Sequence, residues 1–205
     1  MPPRVDKAFW QGIYDAGNPR FDVGAASPPL VDWLDANPSG PGRAVVPGCG
    51  YGHDVIELAR RGLFAVGIDF VTDAIMSARA AAQRAGVAAR AHFLDQDVFA
   101  LSSEHDGGYD LLFEQTCYCA IDPSRRDEYA ALAARLVAPG GLLLFVVYPA
   151  DGHQGGPPFA IDPDEIGPRF DEEFELLRMG LPARTSKPTR ADKEQFAVLR
   201  RRAAR

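Results

Sequence analysis

The stretch Val45-Val-Pro-Gly-Cys-Gly-Tyr-Gly-His-Asp54 decides the fold. A short apolar run over 43–47 ends in a loop with glycine at 48, 50 and 52, and a helical pattern starts near residue 53. Strand, glycine loop and helix form the opening unit of a doubly wound α/β sheet. Glycine at such a turn lets backbone approach a ligand at the helix N-terminus. A dinucleotide fingerprint would need its third glycine at position 53, where His53 stands, so the loop suits a pyrophosphate poorly. Asp69 ends the next apolar run, 64–69, about twenty residues beyond Gly48, the offset at which an acidic side chain takes up ribose hydroxyls. Read singly, Gly48 and Gly50 serve a tight turn and Asp69 caps the helix that follows. Read together they point to an adenosine-like ligand.

Outward from this unit, apolar runs at 109–114 and 141–148 and a weaker one at 91–94 read as further buried strands. Helical stretches fall at 53–61, 72–85 and 124–137, with Thr72 and Ser124 as expected N-caps and Gly62, Gly86 and Pro139-Gly140 as stops. Alternating strands and helices imply right-handed crossovers within a mostly parallel sheet. Runs at 173–178 and 195–199 are expected to close it as an antiparallel pair. Pro and Gly cluster at 38–42, ahead of the core fold, and at 152–158, which reads as a functional loop.

The chain has 205 residues, 46% hydrophobic and 24% charged, which fits one ordinary globular domain and excludes disorder and collagen-like repetition. A net charge of −6 argues against broad nucleic-acid binding. The longest apolar run, 142–147, is far short of the ~20 residues that span a bilayer. Met1-Pro-Pro-Arg4 opens no secretory pattern, so the expected setting is cytoplasmic. Cys49, Cys117 and Cys119 read as reduced thiols, and Cys117-x-Cys119 without a third and fourth ligand does not make a zinc site. No metal is expected. His53 reads as a helix start, His92 as a strand residue, His105 as a loop residue, and Arg200–Arg202 as a solvated strand end.

Several segments together carry a family resemblance. Pro47-Gly-Cys-Gly-Tyr-Gly-His-Asp54 and Val66-Gly-Ile-Asp69 resemble the class I S-adenosylmethionine-dependent methyltransferases. Phe113-Glu-Gln-Thr-Cys-Tyr-Cys-Ala-Ile-Asp-Pro123, Arg126-x-x-Tyr129-Ala130 and Gly155-Gly-Pro-Pro-Phe159 narrow this to the thiopurine S-methyltransferase superfamily, which includes the halide and thiol methyltransferases. The resemblance runs from Phe9-Trp10 to about Phe170, and Leu181 to Arg205 adds little family pattern. It implies a single domain with a seven-stranded Rossmann-like core over 43–205 and an N-terminal helical lid over 1–37.

It also implies S-adenosyl-L-methionine as cofactor and a small-molecule acceptor, without nucleic acid or membrane, in a monomer or weak dimer. Gly48 and Gly50 would pass beneath the methionine moiety, and Asp69 would take the ribose hydroxyls. Asp97, with Asp95 as competitor, would meet the adenine amino group, and Val98 or Phe99 would supply an apolar wall. Glu114 and Gln115 would face the transferable methyl. Trp10, Tyr14 and Phe21 would approach the sulfonium, which is attracted to aromatic faces by ~0.5–2 kcal/mol. Against that stands the simpler reading of Phe9, Ile13 and Trp33 as one apolar helix stripe. Tyr148, Asp151 and His153 are the groups placed to meet the acceptor. The expected reaction is methyl transfer to sulfur or another soft nucleophile. A nicotinamide-dependent oxidoreductase and a non-catalytic cofactor-binding module are the alternatives.

Overall fold

Parallel strands β1 (Arg43–Pro47), β2 (Phe64–Asp69), β3 (Ala91–Asp95), β4 (Tyr109–Gln115) and β5 (Val137–Val147) carry apolar side chains on both faces, because helices cover both. The computed structural model describes residues 5–17, 19–38, 42–148 and 155–203. The sheet order is β3-β2-β1-β4-β5-β7-β6, with β6 (Phe174–Gly180) pairing β7 (Gln195–Arg201) and β7 pairing β5, both antiparallel. This is the doubly wound, mostly parallel seven-stranded sheet expected from the sequence, closed by the antiparallel pair β6 and β7.

Side chains alternate between two cores. Val45, Val66, Leu112 and Leu143 face one, and Ala44, Val46, Leu111, Phe113 and Leu144 face the other. Full burial of each Leu or Phe is worth roughly 1.5–3 kcal/mol. The crossovers are α3 (His53–Arg60), α4 (Thr72–Arg84) and α5 (Arg126–Leu136), and α6 (Ile166–Phe170) precedes β6. Two helix starts differ from expectation. Val71, not Thr72, is the N-cap of α4; its apolar side chain gives no cap, and Asp69 Oδ1 accepts from Val71 N at 2.9 Å. Ser124 lies inside a 3-10 turn, where Asp122 accepts from Ser124 N at 2.9 Å.

Before the sheet come α1 (Lys7–Asp15) and α2 (Pro28–Ala36). They behave differently. Leu30 and Leu34 of α2 are fully buried in the core beside α3. By contrast α1 rests its aromatic face on Val71 and Ala74, across the glycine loop. Only α1 and the segment after it therefore occupy the position of a lid.

Candidate functional site

All five parallel strands end at one edge of the sheet, and the loops leaving β1, β2 and β4 meet there. That crevice is where ligands bind in open α/β sheets. Gly48 has φ +59°, and a Cβ there would stand 2.9 Å from Cys117 Cβ. Only glycine fits, so the loop backbone lies against the turn that leaves β4. That turn is sharp because Thr116 takes φ +64°, a left-handed conformation costing a β-branched residue ~1–3 kcal/mol.

Asp69 braces the loop from β2. Its Oδ2 accepts from Gly50 N at 3.0 Å and its Oδ1 from Val71 N, in a setting that leaves the residue 8% exposed. Burial raises its pKa, and the backbone donors oppose that. Each carboxylate oxygen has a second lone pair, so these bonds leave acceptor capacity for a diol. Above the loop, Tyr14 Oη lies 3.0 Å from where a Gly50 Cβ would stand. Tyr14 packs edge-on against Tyr51 and Phe21, and Trp10 against Phe21 at 5.8 Å. Lys7 reaches Asp95 Oδ1 at 3.6 Å, and Gln11 Nε2 donates to Asp73 at 2.8 Å, tying α1 to the ends of β3 and α4.

Between this cover and the loop runs a narrow cleft of about 50 Å³, lined by Phe21, Gly48, Gly50, Tyr51, Asp54 and Gln115 among others. A cavity of about 480 Å³ lies at the opposite end of β5, beside Pro139, Glu175 and Arg200, and holds none of the sequence-predicted groups. The smaller space is therefore the candidate site.

The structure gathers Phe21, Gly48 and Gly50 at the cleft, with Asp69 behind the loop and Trp10 edge-on to Phe21. Asp97 is exposed, follows β3 and accepts from Phe99 N at 3.0 Å. Val98 is buried against the core cluster of β1 and β2. Glu114 differs from the expectation that it faces the crevice. Its side chain points the other way, fully buried, accepting from Tyr118 N at 2.8 Å and from Tyr129 Oη. Burial pushes its carboxyl up to about 7. The next residue, Gln115, faces the cleft, and its buried Oε1 has no hydrogen-bond partner among the described residues. Tyr148 follows β5 with Arg190 stacked on its ring, the guanidinium carbon 4.4 Å from the centroid. Asp151 and His153 lie outside the described residues.

Two groups escaped the sequence reading. Asp54, in the first turn of α3, is half-buried, accepts from Ser27 N at 2.7 Å, and is pushed up to about 7 by desolvation. Asp22 meets His53 Nε2 at 3.2 Å, fixing the segment after α1 to the start of α3. An Asp two residues into a helix that follows a glycine loop was the available signal. Burial drives the thiols of Cys49 and Cys117 well above their ordinary range, and that of Cys119 up to about 12, so none is poised as a nucleophile. No group of three or more metal-ligating side chains occurs among the described residues.

The residues fit a nucleoside bearing a cationic sulfur: a diol acceptor behind a glycine loop, aromatic rings over it, and an unpaired amide oxygen beside it. Residues 5–201 match the family described as thiopurine S-methyltransferase. The chain is 33% identical over 161 residues to thiocyanate methyltransferase 1 of Brassica oleracea, covering 78% of this chain and 70% of that protein. It is 27% identical over 186 residues to a thiopurine S-methyltransferase of Legionella pneumophila (strain Paris), covering 83% and 84%. Its fold is similar to that of the Burkholderia thailandensis 1,6-didemethyltoxoflavin-N1-methyltransferase, solved with S-adenosylhomocysteine. The TM-score is 0.78 at 19% identity, over 97% of this chain and 88% of that one.

Proposed function

The chain belongs to the thiopurine S-methyltransferase family, uses S-adenosylmethionine and methylates a small molecule, and we propose that its acceptor is a soft nucleophile, a thiol, thiopurine, thiocyanate or halide, met between Gln115 and Tyr148. The observation that carries the site assignment is Asp69 holding Gly50 N at 3.0 Å beneath the Tyr14 and Phe21 rings.

Bound S-adenosylmethionine supplies a methyl carbon already activated by its sulfonium. The protein's work is then alignment and exclusion of water. Gly48 and Gly50 admit the methionine end, Asp69 accepts from the ribose hydroxyls, Asp97 from the adenine amino group, and Val98 gives that ring an apolar neighbour. Phe21 and Trp10 close over the sulfonium. Gln115 Oε1, unpaired in the cleft, offers an acceptor for an ammonium or thiol donor; Glu114, turned into the core, holds the β4 turn in shape through Tyr118 N. Methyl transfer would join an acceptor lone pair to that methyl carbon and would leave the carbon–sulfonium pair on the thioether. An acceptor that arrives as an anion requires no base. For a protonated thiol, Tyr148, Asp151 and His153 are the groups proposed to orient it and take the proton.

A cleft of about 50 Å³ compares with roughly 300–1,000 Å³ for ordinary ligand pockets, so α1 and the following segment act as a lid that moves for cofactor exchange. Buried free thiols suit a reducing, cytoplasmic setting, and a monomer or weak dimer acting without nucleic acid or membrane completes the reading. Turnover of methyl-labelled cofactor over a panel of alkyl thiols, thiopurine, thiocyanate and iodide is the test. Labelled product from at least one is expected, and transfer to none of them would overturn the assignment.

A further inference from the structure

The hairpin between β6 and β7 folds back over the carboxyl edge of the sheet. Lys187 donates from Nζ to the carbonyl of Arg20, next to Phe21, and Arg184 meets Asp32 of α2 at 2.5 Å. Arg190 lies deepest. Its side chain is 11% exposed, its guanidinium lies over the Tyr148 ring at 4.4 Å, and its Nη1 meets Glu194 Oε2 at 3.3 Å. Glu194 is fully buried and spends its other oxygen on Ser186 N at 2.7 Å, so it holds the hairpin as well as the arginine. Among the described residues nothing else accepts from the Arg190 guanidinium, which leaves donors free on a rigid, planar fork.

Its place explains why this matters. Arg190 is close enough to Cys119, in the turn after β4, to oppose the upward push of burial on that thiol. After burial, Arg190 is also the chief influence lowering the pKa of Lys187. A largely desolvated cation thus sits beside Tyr148, at the end of β5, and near the turn after β4, where charge acts through low dielectric.

We infer that Arg190 receives an anionic methyl acceptor, its guanidinium presented by the Tyr148 ring and the Glu194 carboxylate. This rests on the methyl-transfer reading above. Arginine stacked on an aromatic ring is held in orientation with little entropy left to lose on binding. The acceptor loses its negative charge as the methyl arrives, so the attraction is stronger before transfer than during it. Arg190 accordingly governs KM more than kcat.

The test compares wild type with Arg190→Gln and Arg190→Lys, using iodide and thiocyanate as acceptors for turnover, and thiocyanate binding to the S-adenosylhomocysteine complex by equilibrium dialysis. In Arg190→Gln, KM and the thiocyanate dissociation constant rise about tenfold or more, the scale of one lost charge-assisted bond. In the same variant kcat stays within about threefold and S-adenosylhomocysteine affinity is unchanged. Arg190→Lys keeps part of the anion affinity. KM and thiocyanate affinity within twofold of wild type in Arg190→Gln would overturn the assignment while leaving the methyltransferase reading intact. A wild type that binds thiocyanate through Arg190 yet transfers no methyl to any soft acceptor would overturn that reading and leave Arg190 as an anion site. Loss of S-adenosylhomocysteine affinity in both variants would show a structural role and also overturn the inference.

Discussion

On the β1–β2 side of the carboxyl edge, the glycine loop and the acid proposed to hold the ribose come from one stretch of chain, Gly48 to Val71, and the contacts run through backbone: Asp69 to Gly50 N and Val71 N. On the β4–β5 side the proposed acceptor groups are Gln115, Tyr148 and Arg190, and the contacts run through side chains: a guanidinium over a phenol ring and an amide oxygen without a partner among the described residues. A cofactor shared by many reactions is met by local backbone geometry. An acceptor peculiar to one enzyme is met by side chains from distant segments, which change without disturbing the loop. The two sides should therefore fail separately.

The largest effect falls on the cofactor side. Asp69→Ala removes two charge-assisted bonds, each worth ~1.5–3 kcal/mol, along with the diol acceptor. S-adenosylhomocysteine affinity, measured by calorimetric titration, is expected to fall a hundredfold or more, with a lowered unfolding midpoint because the loop loses its brace. Wild-type affinity in this variant would erase the distinction between the two sides.

Next comes the buried carboxyl beneath them. Glu114 titrates near 7 in the folded protein against an ordinary 4.5. The folded state holds the proton more tightly, so this group's stabilisation is complete below about pH 4.5 and is lost as pH rises through about 7. The loss amounts to roughly 3 kcal/mol at most. Denaturant unfolding at pH 5 and pH 8 should show a smaller difference in Glu114→Gln than in wild type. Asp54 and Asp69 shift in the same direction and contribute to the remainder. An identical difference in both proteins would place Glu114 in contact with solvent and return it to the crevice.

A smaller effect concerns the cover. Residues 5–17 and 19–22 should exchange amide hydrogens or be cleaved more slowly with S-adenosylhomocysteine than without, because ligand binding favours the closed arrangement. Equal rates would make α1 a fixed part of the core, like α2. The smallest expected effect is that of Tyr148→Phe, which keeps the ring under Arg190 and removes one neutral hydroxyl. About a threefold fall in kcat/KM for thiocyanate corresponds to a net hydrogen bond of ~0.5–1 kcal/mol. A loss of tenfold or more would make the hydroxyl, not the guanidinium it supports, the main acceptor contact.

What the sequence made legible follows from the same contrast. Gly48, Gly50 and Asp69 were readable because strand, glycine turn and acid lie within one βαβ unit whose geometry is local. Glu114 and Gln115 were placed at the right strand end, but along a strand successive side chains point to opposite faces, and the register that sends Gln115 to the cleft and Glu114 to Tyr129 depends on the packing of α5. Arg190 left no local signal. It reaches Tyr148 only because β7 inserts between β5 and β6, so its hairpin returns over the edge. Asp54 reads as an ordinary first-turn helix acid, and only the fold brings Ser27 N against it.

The claim that the acceptor side selects soft sulfur is tested most directly by one labelled-methyl reaction on cysteamine, which offers a thiol and an amine on the same small molecule. Mass spectrometry of the product should find the methyl on sulfur, with S-adenosylhomocysteine formed in equal amount. A methyl on nitrogen, or cofactor bound without any transfer, would contradict it.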